Sequence, residues 1–239
     1  MDSAQDLLQQ ATDFHQYDNL HWEVSGAQDD PRRQWFRSVI AEHIPELTEK
    51  RVLDIGSGVG QLFPFVLQRG AAEVVGVEPS ERNTTLSKQL HPDVVVHQTT
   101  LQDAQLDQWF DIAVAILVFE HIHDLAEAFQ KVNTLLAPNG IFALMTLDKE
   151  YAETQRFGYT MEVEKLNDAS SVVCTERSDG QLCDIVRTSQ MYIDAAQKSG
   201  FCLQEDVPMI PRQSFLEACP KYLPFADTVM HHLYIFQKL

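Results

Sequence analysis

Asp54-Ile55-Gly56-Ser57-Gly58-Val59-Gly60 sets a carboxylate and then glycines at alternate positions straight after the apolar run Val52-Leu53. A backbone that passes close beneath a ligand cannot carry Cβ atoms, and glycine alone takes positive φ cheaply. Leu62-Phe63-Pro64-Phe65-Val66-Leu67 follows with helical apolar spacing, so a strand, a glycine turn and a helix are expected, the helix end offering N–H groups and positive potential to a bound molecule. A second acid, Glu78, stands with Pro79 at the end of the apolar strand Val74-Val75-Gly76-Val77. It lies about twenty residues past the glycines, where a carboxylate accepts both hydroxyls of a ribose and so excludes a 2′-phosphate. A dinucleotide turn reads G-x-G-x-x-G. Here Gln61 holds the third glycine position and Gly60 arrives one residue early, which argues against a nicotinamide or flavin ligand.

These residues resemble the first motif, D-x-G-x-G-x-G or a close variant, of the class I S-adenosylmethionine-dependent methyltransferases, and the resemblance runs over most of the chain. Val94-Val95-Val96-His97 resembles the family's fourth strand, and Thr99-Thr100-Leu101-Gln102-Asp103 the loop that holds adenine. Trp109-Phe110-Asp111-Ile112-Ala113-Val114-Ala115-Ile116-Leu117-Val118-Phe119 resembles a buried central strand that opens on the pair Glu120-His121. Leu136-Ala137-Pro138-Asn139-Gly140 and Ile141-Phe142-Ala143-Leu144-Met145 match the turn and strand that close the core. The resemblance implies an α/β fold: a doubly wound, seven-stranded, mostly parallel sheet with its last strand antiparallel, helices on both faces and a small substrate-cap insertion. It implies S-adenosylmethionine as cofactor, S-adenosylhomocysteine as product, and no metal. The implied donor contacts are Asp54, Gly56, Ser57, Gly58, Gly60, Glu78, Pro79, Thr100, Leu101, Leu117 and Val118. Asp54 is expected to orient the glycine loop and the cofactor's amino group.

The elements that must position these groups alternate between strand and helix, the pattern of a parallel sheet covered on both faces. Residues 1–50 read as a helical lid region, with Trp35, Phe36, Val39 and Ile40 at helix spacing and an aromatic stretch from Tyr17 to Trp22 as a candidate lid. Residues 51–148 form the cofactor core. Asp124 with Glu127 reads as a capping box for a helix whose apolar face is Leu125, Ala128, Phe129, Val132, Leu135 and Leu136. Residues 149–188 depart from the common core and show a hairpin around Ser178-Asp179-Gly180, the expected substrate cap. In 189–239 a helix over Ser189–Lys198 leads into a sixth strand at Phe201, and His232-Leu233-Tyr234-Ile235-Phe236 forms the seventh. The whole is read as one domain.

A sulfonium methyl is already activated, so catalysis rests on aligning an acceptor lone pair and excluding water. His121 is the candidate general base, because it falls at the carboxyl end of the sheet where ligands bind; the alternative is a capping or packing histidine. His123 reads as a solvated loop residue. Arg156 and Arg187 are candidates to clamp an anionic acceptor. The net charge of −17 opposes phosphate backbones and anionic membranes, and the pair Arg32-Arg33 is too small a basic face to reverse that. A small-molecule acceptor is therefore expected, with nucleic acid disfavoured and a nucleoside-binding module without catalysis, or protein modification, as alternatives. Without a signal pattern or a membrane-length apolar run, a cytoplasmic location is expected; the oligomeric state is left open. Cys174, Cys183, Cys202 and Cys219 lack C-x-x-C spacing, so reduced, mostly packed thiols are expected.

Overall fold

Five parallel strands, with strand order reversing beside the first of them, make the frame in this computed structural model. The structure describes residues 3–17, 30–44, 46–156, 158–177 and 180–239. Its elements are α1 (Ser3–Thr12), α2 (Pro31–His43), β1 (Arg51–Ile55), α3 (Phe63–Gln68), β2 (Glu73–Val77), α4 (Glu81–Leu90), β3 (Val95–His97) and β4 (Phe110–Ile116). They continue as α5 (Leu125–Leu135), β5 (Leu136–Leu147), α6 (Lys149–Glu153), β6 (Met161–Asn167), β7 (Ser170–Arg177) and β8 (Gly180–Arg187). The chain closes with α7 (Ser189–Lys198), β9 (Phe201–Met209), α8 (Gln213–Ala218) and β10 (His231–Lys238).

The main sheet has seven strands in the order β3-β2-β1-β4-β5-β10-β9. β1 pairs in parallel with β2 and β4, whereas β10 runs antiparallel between β5 and β9, as the sequence implies. Pleating sends alternate residues of β1 to opposite faces: Leu53 and Ile55 join the layer of α5 and α7, and Val52 joins that of α2 and α3. Both faces are covered, which is why these strands read as unbroken apolar runs. α2 starts on Asp30, whose side chain accepts the Arg32 N–H, and α5 on Asp124, which accepts the Glu127 N–H.

Two elements depart from expectation. β5 begins at Leu136, and the expected turn at Ala137–Gly140 is absorbed as an irregular start where its pairing with β4 slips between Phe110 and Ile112. The cap carries the expected hairpin as β7-β8 and adds a third antiparallel strand, β6, along β7. β6 was concealed because its outward positions are charged, Glu162, Glu164 and Lys165 among them. Ser178 and Asp179 of the hairpin turn, like Trp22, lie outside the described residues. α1 packs Leu7, Leu8 and Ala11 on Val172, Cys174, Cys183 and Ile185 of the cap, so the N-terminal helix belongs to that sheet. Cys174 and Cys183 face each other across β7 and β8 and form a disulfide, which corrects the expectation of reduced thiols; Cys202 and Cys219 are free.

Candidate active site

Strand order reverses between β1 and β4, and a crevice opens at the carboxyl ends of those strands. β1 ends into Gly56, β2 into Glu78 and β4 into Leu117, and all three residues line one cavity. Gly56 and Gly58 adopt φ of 64° and 55°. A Cβ on Gly56 would overlap the side chain of Val118, whereas one on Gly58 would point into open space within the cavity. Packing thus dictates the first glycine, and backbone conformation the second.

Glu78 is buried, with Oε2 accepting the Gly58 N–H at 2.8 Å and Oε1 the Ser80 N–H at 2.9 Å. Asn83 Nδ2 reaches Oε1 at 3.4 Å. The second carboxylate therefore clamps the glycine turn from across the sheet and stands at the wall of the crevice. Asp54 is buried beneath the turn, and burial together with the nearby Glu78 pushes its carboxyl well above the usual range. Pro79, Leu117 and Val118 also line the cavity, but Asp54, Ser57 and Gly60 support it from below.

Two expected adenine contacts are not brought to the cavity. Thr100 turns its hydroxyl to Asp103 Oδ2 at 2.8 Å and accepts the Asp103 N–H, and Leu101 is buried in the apolar core. A short polar side chain that bonds its own turn is unavailable to a ligand. The sequence missed Arg33, Phe36 and Arg37 on α2 and Phe14, all of which face this cavity. Arg33 and Arg37 are one helical turn apart, a spacing legible in the sequence, where only the pair Arg32-Arg33 stands out as charge.

His121 sits at the mouth of the crevice, in a short 3-10 turn after β4. Its register is set by Phe119, fully buried against Phe129 and Phe142 at ring separations of 5.2 and 5.5 Å. Arg187 fixes the same turn: its buried guanidinium donates to the carbonyls of Phe119 at 2.9 Å, Ile122 at 2.6 Å and His123 at 3.2 Å. Arg187 is thus a structural bracket and not the acceptor clamp expected of it. His123 is exposed.

The His121 ring has both nitrogens engaged. Nδ1 donates to the Ala11 carbonyl at 3.1 Å, which leaves the Nε2 lone pair to accept the Tyr17 hydroxyl. Asp184 Oδ1 lies 3.5 Å from Nε2. Burial holds the imidazole below its ordinary pKa, with Asp184 partly offsetting this, so the ring is neutral near pH 7. Leu117, just before this turn, holds a left-handed φ of 55° although it carries a branched side chain. Such a residue stores about 1–3 kcal/mol of strain, and strain of this kind gathers at ligand sites.

A second cavity continues from the first under the β6-β7-β8 sheet, and Tyr17, Arg32, Leu117 and His121 line both. Its far walls are α6, the segment through Tyr159, the cap strands and the stretch from Lys221 to His231.

Glu120, beside His121, is buried and gives Oε1 to the Leu147 N–H at 2.7 Å. Burial pushes its carboxyl up to about 8, from an ordinary 4.5. The unfolded chain thus loses this proton first, and stability falls as pH rises between those values. His232, lowered by burial but raised more by bonds to Asp148 and Asp206, titrates at about 9; its contribution is full below 6.5 and is lost as pH rises through the higher value. Thermal stability should therefore decline from about pH 6.5 to pH 9; below 6.5 the buried His231, held down at about 3, offsets Glu120, because there the unfolded chain takes up the histidine proton first. Glu120→Gln should flatten the lower part of that decline in melting curves, and an unaltered slope would contradict the assignment.

A strand-end carboxylate, an alternating glycine turn and a crevice at the reversal of a doubly wound sheet define the class of proteins that bind a nucleotide or nucleoside at a switch point. The chain belongs to the methyltransferase-domain family, whose model matches residues 28–202, and its fold is that of the class I S-adenosylmethionine-dependent methyltransferases. A putative S-adenosylmethionine-dependent methyltransferase from Listeria monocytogenes superposes with a TM-score of 0.70 at 19% identity, covering 87% of this chain and 99% of that one. One from Mesorhizobium loti gives a TM-score of 0.70 at 21% identity, covering 89% of this chain and 100% of the other. A curated relative from Bradyrhizobium diazoefficiens, named ubiquinone biosynthesis O-methyltransferase, is 36% identical over 106 residues, 42% of this chain. The chain spans 41% of that relative's length. One solved neighbour, a glycopeptide N-methyltransferase at 15–16% identity, holds S-adenosylhomocysteine in one structure and S-adenosylmethionine in another. The crevice fits that group: open space above Gly58, the Glu78 carboxylate on the cavity wall and the arginines of α2 suit its sugar and amino-acid ends.

Proposed function

We propose that this chain moves a methyl group from S-adenosylmethionine to an oxygen of a small-molecule acceptor held under the β6-β7-β8 sheet. The observation that carries this reading is the junction of the two cavities at Leu117 and His121, which puts a neutral imidazole between a donor space and an acceptor space. Names of the curated relatives, which specify O-methylation, support oxygen over nitrogen as the accepting atom. The acidic balance of the chain supports a small acceptor over a nucleic acid.

Glu78, Pro79, Gly56, Gly58 and Val118 hold the donor in this reading, with Arg33 and Arg37 towards its carboxylate end. When bound, S-adenosylmethionine supplies an electrophilic methyl group on sulfur. The chain does the rest. The cap and the 3-10 turn Phe14–Tyr17 close off water, and alignment of donor and acceptor removes about 7–11 kcal/mol of barrier. The acceptor's hydroxyl would take the place of the Tyr17 hydroxyl at His121 Nε2 and pass its proton there as the new carbon–oxygen bond forms and the methyl–sulfur bond breaks, the leaving group being the neutral thioether of S-adenosylhomocysteine. Nδ1–H on the Ala11 carbonyl keeps the receiving tautomer, and Asp184 stabilises the imidazolium.

Incubation with methyl-labelled S-adenosylmethionine and a panel of phenols, alcohols and amines tests the reading. Labelled ether from a hydroxyl acceptor is expected. Donor binding with no turnover across the panel, and none with peptide or RNA, would favour a module that only binds the nucleoside.

A further inference from the structure

Four basic side chains, Arg32, Arg156, Arg177 and Lys221, line the cavity under the cap, against a single carboxylate, Asp184. That balance opposes the chain's net charge of −17. Asp184 lies 3.5 Å from His121 Nε2 and also feels Arg156 and Arg177, so one carboxylate faces four cations. Among the described residues, Arg32, Arg156 and Lys221 have no carboxylate partner. Arg156 donates from Nη2 to Thr175 Oγ1 at 3.1 Å, while its Nε is buried with no hydrogen-bond partner. Lys221 reaches only the Tyr159 hydroxyl, at 3.5 Å. Cations that outnumber the carboxylates at a half-enclosed site repel one another, and a bound anion lowers that cost.

The surroundings are aromatic. The Arg156 guanidinium lies 5.6 Å from the Tyr151 ring centroid and 5.8 Å from that of Tyr159, so its plane is held while its edge stays usable. Phe225 meets Tyr151 edge to face at 5.2 Å, and Tyr222 lies beneath Lys221. These rings make flat apolar walls between the cations and His121.

We propose that the acceptor is an aromatic molecule bearing an oxyanion, seated with that anion on Arg156 and flanked by Arg32 and Lys221, and with its hydroxyl turned back to His121. This assignment rests on the methyl-transfer reading above and names its substrate class. An oxyanion here fixes which end of the acceptor faces the donor, so it determines both affinity and regiochemistry. Carboxylate and phosphate share this chemistry, and arginine suits either by paired hydrogen bonds.

Equilibrium titration of the S-adenosylhomocysteine-loaded protein tests it without requiring turnover. The probes are catechol, 3,4-dihydroxybenzoate and phenyl phosphate, at low and high salt. The acidic probes should bind at least about tenfold tighter than catechol, the scale of one charge-assisted contact. Whichever of the two binds tighter identifies the oxyanion. Arg156→Met should remove that preference and leave S-adenosylhomocysteine affinity unchanged, which certifies the fold; Arg156→Lys should retain part of it, and Lys221→Met should weaken it. Equal binding of charged and neutral probes, or no binding by any of them, overturns the proposal, as does a preference that survives Arg156→Met. Failure of S-adenosylhomocysteine to bind at all would instead strike the methyltransferase reading.

Discussion

His121→Ala is expected to lower kcat by about 10²- to 10⁴-fold, the usual contribution of a positioned general base. Donor affinity should change far less, because Glu78 and the glycine turn hold the nucleoside end on the other side of the crevice. The acid limb of the wild-type pH profile should lie below the ordinary imidazole value of 6.5, since burial depresses this group and the base works only when neutral. His121→Asn keeps a polar group near the Ala11 carbonyl but cannot take the proton, so it should be as slow as alanine. Single-turnover rates and S-adenosylhomocysteine titrations separate the effects. A variant with undiminished kcat would leave alignment alone as the source of rate, and His121 as a packing residue.

Glu78→Ala should have the second large effect, and on binding. Its carboxylate accepts the Gly58 and Ser80 N–H groups and is the acid available to a ribose diol. A hydrogen bond to a charged group is worth about 1.5–3 kcal/mol, so loss of two weakens donor binding by about two to four orders of magnitude. Loosening of the glycine turn should also lower the melting temperature. Glu78→Gln separates the parts: it preserves an acceptor for one N–H and the shape of the site, and should fall between wild type and alanine in Kd. Calorimetry that found equal donor affinity in all three proteins would remove Glu78 from the site.

The main sheet was legible because buried parallel strands leave continuous apolar runs, such as Ile112 to Ile116, and because capping residues such as Asp124 mark helix starts. Spacing also identified Gly56, Gly58 and Glu78, whose roles depend on backbone and strand ends and so are written locally. Contacts made across the fold left no such trace. Thr100 was misplaced because its bond to Asp103 is decided by one turn's geometry, and Arg187 because only the folded chain brings the Phe119 and Ile122 carbonyls to it. The Cys174–Cys183 bridge depends on the register of β7 with β8, in which the two residues stand opposite each other. Likewise, Arg32 to Arg37 matter only once α2 is laid over the crevice. The surface charge of a chain is an average, and it does not report a local reversal such as the one under the cap.

The central claim is that donor and acceptor spaces meet at Leu117 and His121. A crystal structure with S-adenosylhomocysteine tests it most directly. The account predicts the ribose hydroxyls on Glu78 and the sulfur facing His121 and the cavity under β6-β7-β8. A nucleoside bound elsewhere, or one whose sulfur points away from His121, would contradict it.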